Sequence, residues 1–255
     1  MRVWPIFKKE LRLYFTSPIA YVLVAVFFFI SGLFFWSIFD FFSKASMQSM
    51  MNPQFARDLN VTDGVFRPLL SNVTVILLLL MPMVTMRLFA EERRSGTIEL
   101  ILTYPVRDGA VLLGKFLAAL ALYALMLVGT LLYAGVLVYF ARLDWGPLAT
   151  GYLGLLLLGA AFLAVGLFVS SLTENQIVAA IATFGALLAL WIIGWSADSV
   201  GGTWGKVLSH LSIIEHFDSF AKGVLDTKDI VYYLNLTIVA LFLGMKSVEA
   251  RRWKG

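Results

Sequence analysis

Gly109, Gly114 and Lys115 stand in the G-x-x-x-x-G-K spacing with which a loop cradles nucleotide phosphates. Phe116 occupies the place of the Mg²⁺-binding Ser or Thr, and no strand pattern precedes the run, so it reads as the opening of an apolar helix rather than a phosphate loop. His210, Glu215, His216 and Asp218 are the one cluster resembling metal ligands. Their order lacks H-E-x-x-H, and on one continuous helix the two His rings would point about 120° apart. A wet outer helix is the expected home of these four. The chain therefore has no legible catalytic, metal or cofactor site of its own. Its charged residues suggest a different role. The string E-E-R-R-S-G-T-I-E-L-I-L-T-Y-P-V-R-D, residues 91–108, joins two long apolar helices and has the character of a docking element for a partner.

The elements holding that string in place are membrane helices. The 255 residues are 60% hydrophobic and only 14% charged, too apolar for an ordinary soluble domain of this length. Crossing a hydrocarbon core takes about 20 helical residues, and the charge-free stretches 19–39, 69–86, 116–141, 148–173, 177–197 and 230–245 qualify. The last extends through Val248 if Lys246 snorkels. The first is too long for a cleaved leader and is expected to remain as an anchor. Six spans put both termini on one side. That side would hold Arg2, Lys8, Lys9, Arg12, Arg87, Arg93, Arg94, Arg107, Lys115, Lys246, Arg251, Arg252 and Lys254, while Lys44, Arg57, Arg67, Arg142, Lys206, Lys222 and Lys228 fall opposite. The positive-inside rule then makes the termini cytoplasmic. The net charge of +4 reflects this topology and lipid headgroups, not nucleic acid, and the absence of Cys excludes disulfides and thiol chemistry.

Within this frame the first sixteen residues predict an amphipathic interfacial helix, with Val3, Trp4, Phe7, Leu11, Tyr14 and Phe15 on one arc and Arg2, Lys8, Lys9 and Arg12 on another. Pro18 bends the chain into span one, which is rich in aromatics, and Pro82 should kink span two. Residues 43–68 show too little apolar periodicity for a domain. Gly154, Gly159, Ala160, Ala161, Ala164 and Gly166 let neighbouring backbones approach span four, which should be central. Ser171, Glu174 and Asn175 belong to a tight polar hairpin before span five, suited to touching a partner. Beyond span five, Trp204, Val207, Leu208, Leu211, Ile214, Phe217, Ala221 and Val224 recur at helical spacing and suggest short amphipathic helices forming an outer lid, with Trp204, Leu211, His216 and Phe217 as its gate residues. In the docking string, Thr97 can cap a short helix, Glu99 suits its positive end and Pro105 stops it. Ile98, Ile101 and Leu102 would form a ridge flanked by Glu91, Glu92, Arg93 and Arg94, and Asp108 can cap span three. All six stretches lack ionisable residues, which disfavours a proton- or ion-coupled carrier.

With these residues placed, the chain resembles a permease of the ABC-2 family. The resemblance rests on Lys8-Lys9-Glu10-Leu11, on the string after span two, on V-S-S-L-T-E-N-Q between spans four and five, and on I-I-E-H-F-D-S-F with Glu249-Ala-Arg-Arg-Trp253 in the tail. The tail is similar to the gliding-motility-type branch. The resemblance implies one all-α transmembrane domain over 1–255, type V exporter-like. It would comprise an elbow helix at 1–17 carrying Lys8, Lys9, Glu10 and Arg12, a coupling helix at 91–107, and an outer re-entrant segment at 196–229. Glu91, Glu92, Arg93, Arg94, Gly96, Thr97, Glu99 and Pro105 would be its ATPase-coupling residues, and Glu174 and Asn175 would belong to a secondary contact. The implied partners are a cytoplasmic ABC ATPase holding ATP and Mg, a second permease chain and membrane lipid, in the cytoplasmic membrane. The implied function is ATP-driven export of a lipidic, polymeric or amphipathic substrate. A membrane anchor passing ATPase motion to a motility, pilus or other envelope assembly would keep the same docking string, and a stand-alone channel or carrier would need a polar pathway.

Overall fold

The computed structural model describes residues 3–51, 60–96, 108–140 and 143–252, and every element among them is helical. Helix α1 (Val3–Thr16) is followed by α2 (Pro18–Met51), a π-helical turn (Thr62–Phe66), α3 (Arg67–Thr85) and α4 (Arg87–Arg94). Helices α5 (Asp108–Phe140), α6 (Trp145–Leu172), α7 (Gln176–Val200), α8 (Gly202–Leu211), α9 (Ile213–Ala221) and α10 (Thr227–Arg252) complete the chain. Among the described residues six stretches are long and apolar enough to cross a membrane, in the order read from the sequence: Pro18–Ser49, Thr62–Arg94, Asp108–Phe140, Trp145–Leu172, Gln176–Ser196 and Thr227–Ala250. Span one is longer than its apolar run. The segment that begins at residue 43, where apolar periodicity fades, continues the helix through Met51, and Lys44 there pairs with Asp40 one turn back at 2.6 Å.

Helix α6 lies at the centre of the bundle, as its small residues predicted. A Cβ added at Gly154 would sit 2.6 Å from Phe220 Cβ, and one at Gly159 would overlap the Tyr123 ring. Tyr123 is fully buried and donates its hydroxyl to the Leu155 carbonyl at 2.5 Å, so ring and backbone are locked together. Helices α3 and α5 share this buried interior, whereas α2, α7 and α10 leave most of their apolar surface outward. In a bilayer such faces meet acyl chains or another protein chain without penalty.

Two breaks shape the ends of the bundle. Span two is interrupted at Met86, one turn beyond Pro82; α3 runs through the proline, and the Met86 nitrogen still donates to the Pro82 carbonyl at 2.9 Å. Helix α4 then ends because Gly96, at φ 71°, adopts the left-handed conformation and donates to the Arg93 carbonyl at 3.1 Å. At the opposite end, Gly201 and Gly202 take positive φ between α7 and α8.

Candidate coupling site

At the end of the bundle that carries α1, five chain segments meet: α1, α4, the first turns of α5, the hairpin between α6 and α7, and the tail of α10. The docking of α1 is set by two features. Gly114 on α5 leaves room for Ile6, since a Cβ there would lie 2.7 Å from Ile6 Cγ2 and 3.2 Å from the Phe7 nitrogen. Tyr14 donates to the Val84 carbonyl at 3.2 Å. Burial, and after it the nearby Glu10 carboxylate, push the Tyr14 phenol well above its ordinary range, which keeps it a donor.

Beneath α1 lies a buried charge cluster. Lys115 Nζ sits 3.1 Å from Glu10 Oε1 and 2.8 Å from Glu92 Oε1, with its side chain 2% exposed. Lys9 reaches both carboxylates at 3.6 Å from the exposed side, and the Phe89 ring lies 5.3 Å below the Lys115 ammonium. The Lys of the near-match to a phosphate loop is thus enclosed in protein and already paired, on the helical surface of α5 and not at the mouth of a loop. Its placement follows from charge: a lysine entering a low-dielectric interior needs carboxylates beside it, and α1 and α4 each bring one.

The break at Met86 is held by α6. Ser170, fully buried, accepts from the Phe89 and Ala90 nitrogens at 3.2 Å each and donates to the Met86 carbonyl at 3.1 Å. One hydroxyl therefore satisfies three backbone groups that a continuous helix would have paired. The neighbouring carbonyl of Ser171 accepts from Ser247 on α10 at 3.2 Å. In the hairpin that follows, Asn175 Oδ1 accepts from the Ile177 and Val178 nitrogens at 2.9 and 3.4 Å, capping α7.

The residues read as a docking string divide on this frame. Glu91, Glu92, Arg93 and Arg94 form the last turns of α4, and Gly96 ends it. Glu91 is clasped by Arg87 in a two-point bridge with both distances 2.8 Å, Glu92 enters the Lys115 cluster, and Arg93 is 7% exposed. Arg94 is exposed. Two of the four residues expected to flank a presented ridge thus turn into the bundle's own interior. Thr97, Glu99, Ile101 and Pro105 lie outside the described residues. In the elbow, Lys8, Lys9 and Arg12 are exposed and Glu10 is buried.

At the other end of the bundle the four lid residues separate. Trp204 is 73% exposed and Leu211 43%, whereas His216 and Phe217 are buried. The single helix assumed for His210 and His216 is two, α8 and α9, joined through Ser212, whose extended backbone brings the rings to 5.3 Å between centroids. The wet setting expected for His216 is corrected accordingly. Its Nδ1 is 2.6 Å from Asp229 Oδ1, its Nε2 is 3.0 Å from the His210 carbonyl, and Tyr232 stacks on it at 3.9 Å. Asp218 instead pairs with Lys222 and faces Arg67 at 3.8 Å. No group of three or more acidic or His residues is placed to hold a metal among the described residues.

A profile described as ABC-2 family transporter protein matches residues 4–247. The chain belongs to the ABC-2 transporter family. Its six apolar helices and this membership make it a multi-pass transmembrane permease subunit. No curated protein matches it closely.

Proposed function

We propose that this ABC-2 permease is the membrane half of an ATP-driven exporter for a lipidic, polymeric or amphipathic substrate. Two permease chains would pair in the cytoplasmic membrane above ATP-hydrolysing subunits that carry ATP and Mg. The observation that carries the reading is the joining of α1, α4, α5, the α6–α7 hairpin and α10 at one end of the bundle. Lys115, Ser170 and Ser247 tie these segments into one unit, while Arg94, Glu174 and Asn175 remain on its surface. A push applied there would reach the central helix through short polar contacts, which is what transmission of ATPase motion requires. The Lys and Arg excess at this end supports placing it in the cytoplasm.

Residues 91–107 are the proposed coupling element, 1–17 the elbow and the α8–α9 region the outer gate. The same mechanical unit would serve an anchor of the gliding-motility-type branch that passes force to envelope proteins. Purification of the intact complex tests the proposal. An ATP-hydrolysing chain should accompany this one and be lost with Ile101→Pro, while Ile101→Pro remains inserted in the membrane. Purification alone, with ATP hydrolysis by this chain abolished by Lys115→Ala, would overturn it.

A further inference from the structure

Between α1, the start of α2 and the break separating α3 from α4 runs a groove of about 260 Å³. One half of its wall is apolar, formed by Leu13, Ala20, Leu23 and Val84, and the other carries Arg87, Glu91, Glu92, Glu10 and Lys115. We propose that this groove binds one aminophospholipid molecule, with its primary ammonium against the carboxylates, its phosphate against Arg87 and its first acyl carbons along the apolar half. The inference rests on the helices spanning a bilayer and is independent of the ATPase partnership.

Three carboxylates on the wall face two cations within it, Lys115 and Arg87, and a third, Lys9, from the exposed side. Lys115 is already shared by Glu10 and Glu92, and the Arg87 fork holds Glu91. The cluster is therefore balanced in charge, so a zwitterionic headgroup leaves no excess charge in it, whereas an anionic one would. A carboxylate has about four acceptor positions and the Arg87 fork fills two on Glu91, so acceptors remain for the N–H groups of a primary ammonium. A choline headgroup has no such N–H. Arg87 Nη1 makes only a 3.5 Å contact to the Ser17 hydroxyl and can turn toward a phosphate oxygen. Leu13, Ile19 and Met83 at the rim are exposed and apolar, a mouth suited to acyl chains and not to a free headgroup. A volume below that of drug-sized pockets fits headgroup and glycerol, leaving the tails outside.

The test uses the purified full chain in vesicles of equal parts phosphatidylcholine and phosphatidylethanolamine, or phosphatidylcholine and phosphatidylglycerol, followed by native mass spectrometry. One phosphatidylethanolamine should stay with each chain, and neither phosphatidylglycerol nor phosphatidylcholine should. Glu91→Gln should lower its retention about tenfold through loss of a charge-assisted contact. Ala20→Phe, which fills the apolar half, should abolish it. Because either variant could unfold, the wild-type chain is also tested with mono- and dimethylated phosphatidylethanolamine, whose retention should fall with each N–H removed. Retention that follows bulk composition, that ignores N-methylation, or that is displaced equally well by soluble glycerophosphoethanolamine would overturn the proposal.

Discussion

Lys115 Nζ lies 2.8 Å from Glu92 Oε1, so the first turns of one membrane helix are fastened to the last turns of another through a buried ion pair. Glu10 completes the cluster from α1. Replacing Lys115 with Met preserves length and apolar packing but leaves two carboxylates facing each other with only the more distant, exposed Lys9 nearby. Removing one partner of a buried pair costs about 3–5 kcal/mol, so Lys115→Met should lower the thermal midpoint of the detergent-solubilised chain clearly. Adding Glu10→Gln and Glu92→Gln should restore most of the loss. A single variant as stable as wild type would mean that the cluster holds nothing together.

Ser170 makes the second prediction. Its hydroxyl serves two backbone donors and one acceptor at the Met86 break, all in the interior. Ser170→Ala keeps the volume nearly unchanged and strands those groups, each unpaired buried group costing about 1–3 kcal/mol. Hydrogen exchange should report faster opening of the α4 amides at Phe89 and Ala90, while the amides of α7 keep their protection. Unchanged exchange at α4 would mean that the break does not depend on the Ser170 hydroxyl.

The bundle's order, its six helices and its central α6 were legible because apolar runs and small residues act through local rules: length against bilayer thickness and close backbone approach. The Lys115 cluster was not, since nothing in a sequence states which carboxylate from another helix will meet a lysine. One signal did exist. At about 100° per residue, Glu10 falls on the arc of Val3, Phe7 and Tyr14, a charge on an apolar face that must find a buried partner. His216 escaped for a related reason, because the bend at Ser212 divides the helix on which its direction was reckoned. Ser170 looked like any hairpin serine, and only the break between α3 and α4 gives its hydroxyl something to satisfy.

Close packing around α6 predicts opposite outcomes for two glycines. At Gly159 an added methyl overlaps the Tyr123 ring, which the Leu155 carbonyl holds in place, so Gly159→Ala should destabilise by about 1–3 kcal/mol through overpacking. At Gly185 on α7 nothing lies within 4 Å of the added atom within the chain. Gly185→Ala should leave the isolated chain unchanged or stabilise it by about 0.5–1 kcal/mol through helix propensity. Thermal midpoints of the two variants in one detergent decide the matter. Equal losses at both would show that Gly185 packs against a second copy.

The last prediction concerns which way the bundle faces. The charge excess at the α1 end expects that end in the cytoplasm, and the natural absence of Cys makes single-site labelling clean. Arg93 would be a poor probe, being buried, but its neighbour Arg94 is exposed and so is Lys206 on α8. Neither takes part in the Lys115 cluster or the Ser170 contacts, so Cys at either position should leave the fold intact. On intact cells an impermeant thiol reagent should label Lys206→Cys and spare Arg94→Cys, and after permeabilisation it should label both. The reverse pattern would put the elbow and the proposed coupling element outside the cell. They could then not meet a cytoplasmic ATPase, and the exporter reading would fall with them.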